Sequence, residues 1–146
     1  SVICASLPWD NAMLEGKWRI LSKPYQQVTT NKHMPNRENW TQRYTKRGCE
    51  YLKELSNKGV DIVRTELYLA RQELKLSSYF KERTPADCKF LQNTLKIEHG
   101  FEEIPTNMMP ASQLEALVCA LIAKKYDTDK EHTKEIFDFC GLKTVI

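Results

Sequence analysis

The chain has 146 residues and a mass of 17.1 kDa, with 41% hydrophobic and 28% charged side chains and a formal net charge of +3. That length predicts one domain with a real core, while 5 glycines and 6 prolines exclude collagen-like and low-complexity chains. No apolar run is long enough to span a membrane, and no basic stretch followed by an apolar one marks a secretory leader, so the expected compartment is the cytoplasm.

Taken in chain order, residues 2–7 are short, apolar and stopped by Pro8, the pattern of a buried strand. Residues 11–21 have helical spacing at Met13, Leu14, Trp18 and Leu21, and Lys23-Pro24 ends it. Residues 25–39 are polar and read as a long loop of the kind that often holds function. Residues 40–58 predict a helix with Tyr44, Tyr51, Leu52 and Leu55 on one stripe, and Gly59 suits the left-handed position that closes it. Residues 60–69 are β-branched and apolar, which predicts an internal strand. A short helix is expected over 70–76. Thr84-Pro85 marks the start of another, running to about Leu95, with a loop over 96–110. The strongest pattern is 111–126, where Leu114, Leu117, Val118, Leu121 and Ile122 follow helical spacing. A further short helix within 129–139 and a terminal strand over 141–146 complete an α/β alternation.

The charge is uneven. Residues 17–58 hold ten Lys/Arg against three Asp/Glu, and residues 59–146 hold twelve against fourteen. A basic first half could meet phosphates, or could be a solvated face and a loop.

The five cysteines are widely spaced and form no C-x-x-C, which fits reduced, mostly buried thiols. Pairing of Cys49 with Cys88 in a secreted protein is the alternative. His33, His99 and His132 lack ligand spacing, and no Gly-rich phosphate loop or G-x-S-x-G is present.

Two acids stand out. Glu66 falls inside an apolar segment, where a carboxylate needs a partner. Either it pairs with an arginine, Arg64 or Arg71, or it lies on an exposed strand face, or it holds a metal ion at the carboxyl end of a sheet strand. Glu115 lies early in the long helix, at the border of its apolar face. It either closes a capping box with Ser112 or points at the sheet and shares a divalent cation with Glu66.

Several segments resemble those of one family. Ile3-Cys4-Ala5-Ser6-Leu7-Pro8 resembles an I-D-A-P-L segment, and Arg43-Tyr44-Thr45-Lys46-Arg47-Gly48 resembles K-L-T-E-R-G. Val63-Arg64-Thr65-Glu66-Leu67-Tyr68 resembles V-I-E-V-Y-P. The run from Leu114 to Ala123 resembles L-D-A-L-V-C-A-L-T-A. In this order the segments resemble a family of proteins predicted to be nucleases with a ribonuclease-H-like fold. The resemblance implies a single α/β domain over 1–146, with a mixed sheet flanked by helices and an acidic Mg²⁺ site. Glu66 and Glu115 would be its catalytic metal ligands, and Lys32, Arg37, Arg43, Lys46 and Arg47 would track a nucleic-acid backbone. Two departures go with it. The family's first-segment aspartate falls on Cys4, and the hairpin that leads the fold is missing. The fold is therefore expected to be truncated at its amino end, with an open edge at the first strand that a homodimer could cover.

Overall fold

A computed structural model describes residues 2–6, 40–136 and 144–146, without the side chains of 40–46 and 136. The expected helix over 11–21 and the loop over 25–39 lie outside the described residues, as do Lys32 and Arg37. The elements are β1 (Val2–Ala5), α1 (Trp40–Asn57), β2 (Asp61–Arg64), α2 (Leu67–Glu73), α3 (Pro85–Glu98), α4 (Ala111–Thr128), a 3-10 turn (Lys130–His132), β3 (Glu135–Ile136) and β4 (Thr144–Val145).

The strands form one mixed sheet in the order β1-β2-β4-β3. β1, β2 and β4 run parallel, and β3 runs antiparallel to β4. Parallel strands need crossovers on the faces of a sheet, which is why helices separate them in sequence. The expected α/β class is therefore what the chain adopts. Among the described residues β1 is an edge strand, paired on one side with β2.

The α1–β2 turn follows from one glycine. Gly59 takes φ +81, its amide donates to the Ser56 carbonyl at 2.9 Å, and the Val60 amide donates to the Leu55 carbonyl. That left-handed residue ends the helix and turns the chain into the strand.

The core joins Val63 and Val145 of the sheet to Leu91 and Leu95 of α3 and to Leu114, Val118, Ile122 and Tyr126 of α4. Val2 and Cys4 pack against the same cluster, so α4 lies against β1. The stripe read from the sequence is the one buried: Leu114, Val118 and Ile122 are each fully enclosed. No helix among the described residues is long and apolar enough to cross a membrane.

Two expectations are corrected. β2 stops at Arg64 rather than running to residue 69. The Thr65 amide makes the last ladder bond, to the Ala5 carbonyl at 3.0 Å, and the Ala70 amide then donates to the Glu66 carbonyl at 2.9 Å. Glu66 is thus the first residue of a helical turn, not a strand residue. The further short helix is only a 3-10 turn followed by β3, because the Lys134 and Ile146 backbones exchange hydrogen bonds and draw this stretch into the sheet.

Candidate functional site

The carboxyl ends of β1 and β2 lie side by side, with Ala5 opposite Arg64. Thr65, just beyond β2, is fully buried and donates its hydroxyl to the Val145 carbonyl at 2.7 Å. That bond fixes where the chain leaves the sheet, and hence where Glu66 stands. Glu66 is buried and accepts from the Arg64 guanidinium at 3.2 Å. Of the two arginines the sequence offered, Arg64 is the partner. Arg71 is engaged elsewhere: it grips Asp87 at 2.6 and 3.2 Å and donates to the Leu76 carbonyl.

Glu115 reaches the same region from α4. The proposed capping box does not form: Pro110 is the residue ahead of the helix, and no side chain caps it. Ser112 is the second residue of the helix, so Glu115 sits two positions too deep to bond back to a cap. Its carboxylate meets Arg83 Nε at 3.4 Å.

Arg83 is held by local geometry that the sequence reading missed. It takes a left-handed φ of 63, and its amide donates to the Asp87 carboxylate at 2.9 Å. Thr84 then caps α3, its hydroxyl accepting from the Asp87 amide at 3.4 Å. A non-glycine residue in this region needs support, and the buried Asp87 supplies it.

Ser6, Thr65, Glu66, Leu67, Tyr68, Glu82, Arg83 and Glu115 together line one cavity of about 70 Å³. The two glutamates singled out in the sequence therefore share a cavity at the rim of the sheet, as α/β sites commonly do. That volume is room for a few water-sized groups. Glu82 and Arg83 join it from the turn before α3, and their only sequence signal is a charged pair just ahead of the Thr84-Pro85 helix start. Among the described residues no cluster of three or more His, Cys, Asp or Glu is placed to hold a metal ion. The cavity offers carboxylate oxygens with arginines close by.

Of the basic residues singled out in the sequence, only Arg47 has a described side chain, and it is not among those lining this cavity. Arg43, Lys46 and Arg47 occupy i, i+3 and i+4 positions of α1, and Arg47 is exposed. Cys4, Cys49, Cys88 and Cys119 are free thiols, so the Cys49–Cys88 pairing does not form. Comparison with family models, curated proteins and solved structures finds no match to this chain.

Proposed function

We propose that the protein is a Mg²⁺-dependent, ribonuclease-H-like nuclease acting on nucleic-acid phosphodiesters, with Glu66 and Glu115 as its metal-binding acids. The observation that carries this reading is the shared cavity that the two glutamates line beside the ends of β1 and β2.

The donor set suits the ion. Mg²⁺ is usually held by one or two carboxylates, keeps several waters and takes further ligands from substrate phosphates. When bound, it supplies water activation and offsets charge on the scissile phosphate. In this reading Arg83, more than half exposed, leaves Glu115 and donates to a phosphate oxygen. Arg64 stays against Glu66 and keeps that carboxylate oriented. Lys32, Arg37, Arg43, Lys46 and Arg47 track the backbone without reading sequence. The free thiols fit a reducing cytoplasm, and a second copy of the chain would cover the edge of β1.

A second reading is a catalytically inactive domain of the same fold that binds nucleic acid or protein. It is favoured by the two ion pairs, Arg64–Glu66 and Arg83–Glu115, which balance both carboxylates without metal, and by Cys4 standing where the family has aspartate.

Labelled single-stranded and duplex DNA and RNA, incubated with Mg²⁺ or Mn²⁺, separate the two. The nuclease reading predicts cleavage that drops roughly 100-fold or more in Glu66→Gln and in Glu115→Gln, with binding that weakens steeply as salt rises. Salt-sensitive binding without cleavage supports the second reading. No binding at low salt and no cleavage would remove both nucleic-acid readings.

A further inference from the structure

The contact between β1 and α4 carries two cysteines. The side chains of Cys4 and Cys119 are near enough to act on each other's ionisation. Ser6 lines the same cavity, and its hydroxyl and amide favour the Cys119 thiolate. Both cysteines line a cavity of about 370 Å³ beside β1, between α1 and α4, whose apolar wall includes Ile3, Leu52 and Leu55. Cys4 is half-buried, and the cavity gives a small neutral molecule a route to Cys119. Cys49 and Cys88 are buried and do not line it.

We propose that Cys4 and Cys119 form a dithiol that a small peroxide oxidises to a disulfide, joining β1 to α4. The two thiols have unequal roles. Cys4, helped by Ser6, holds the Cys119 thiol below its ordinary value against the cost of burial and the nearby Glu115 charge. Cys119 in turn, together with burial, pushes Cys4 up. In this proposal Cys119, which shares the cavity wall with Ser6, is the nucleophile and Cys4 the proton donor and resolving thiol.

In the first step the Cys119 thiolate attacks one oxygen of hydrogen peroxide. An S–O bond forms and the O–O bond breaks. The leaving hydroxide takes the Cys4 proton and departs as water, and Cys119 becomes a sulfenic acid, oxidised by two electrons. In the second step the Cys4 thiolate attacks that sulfur. The S–S bond forms, the S–O bond breaks, and hydroxide leaves with a proton from solvent as a second water. Two thiols and one peroxide give one disulfide and two waters, and a small dithiol reverses the bond by exchange.

Ser6 and Glu115 line both this cavity and the carboxylate cavity, so the crosslink would stiffen their common wall. The dithiol stands on its own contacts, whether or not the carboxylates take a metal.

The test is peroxide titration of the full chain, followed by alkylation in denaturant and peptide mapping. The expected result is loss of two of the five thiols together, a Cys4–Cys119 linked peptide, and recovery with dithiothreitol. Oxidation at the pair should run on the order of tenfold faster than at Cys49 or Cys88. In Cys4→Ser, with no resolving thiol, Cys119 should continue to sulfinic acid. The proposal is overturned if Cys119 reacts no faster than Cys88, if the linked peptide joins another pair, or if Cys4 and Cys119 of the unaltered chain oxidise singly. The map of the unaltered chain decides this even where a variant fails to fold.

Discussion

A carboxylate withdrawn from water stays charged only when its partners outweigh the lost hydration. Asp87 shows what that takes. It is almost fully buried and accepts from Arg71 at 2.6 and 3.2 Å, from the Ser78 hydroxyl at 2.7 Å and from the Arg83 amide at 2.9 Å. Burial opposes the charge, and these donors, Arg71 foremost, overcome it and hold the carboxyl below its usual range. Its folded value therefore lies under the unfolded value of about 3.9. The stabilisation is complete above about pH 5 and is lost as pH falls through the folded value. Asp87→Ala leaves the Arg71 charge uncompensated and should lower stability by about 3–5 kcal/mol at neutral pH. Urea unfolding at several pH values checks this. The gap between the unaltered chain and Asp87→Asn should narrow steadily below about pH 4, and a gap independent of pH would contradict the assignment. The sequence pointed to Glu66 as an acid needing a partner and left Arg64 and Arg71 open beside a metal ion; the fold pairs it with Arg64. The sequence reading passed over Asp87, which reads as an ordinary acid in the first turn of a capped helix. Only the fold reveals that Arg71 and the Arg83 turn close around it.

At the scale of elements, local chemistry made α1, α3 and α4 legible. Gly59 ended α1, Thr84-Pro85 opened α3, and the apolar stripe of α4 is the face it buries. No atom lies within 4 Å of a Cβ added at Gly59, so a substitution there feels the backbone alone. Gly59→Ala should cost about 1–2 kcal/mol, and Gly59→Asn, which tolerates the left-handed region, less than Ala. Equal midpoints for glycine and alanine in urea would show that φ +81 is not required in solution. The strand ending was not legible. Val60, Ile62, Val63, Thr65, Leu67 and Leu69 keep the segment β-branched and apolar to its end, and two leucines two residues apart look alike in a strand and in a first helical turn. What ends β2 is tertiary: β1 supplies its last ladder acceptor at Ala5, and the buried Thr65 hydroxyl turns to Val145. The same kind of cause removed the capping box, since a Ser-x-x-Glu pattern caps only when the chain enters the helix at that serine.

For the whole molecule, the convergence of distant segments decides what the sheet rim can do. Glu66 arrives at the end of β2, Glu115 from the second turn of α4, and Arg83 from the turn that Asp87 holds. A sequence can mark each carboxylate, but their shared cavity depends on α4 lying against β1, which follows from burying Leu114, Val118 and Ile122 against Val2, Cys4 and Val63. The arginines make the rim a competition, because a cation must displace or share carboxylates already balanced by charge. The most direct measurement is the melting temperature of the chain and of Glu66→Gln and Glu115→Gln, each with and without about 10 mM Mg²⁺. For a dissociation constant on the order of 1 mM, linkage gives about 1.4 kcal/mol, or roughly 3–6 °C for a chain of this length. The account predicts that rise in the unaltered chain and its loss in both variants. An unmoved melting temperature, or a rise that survives either substitution, would contradict the claim that these two carboxylates share a cation.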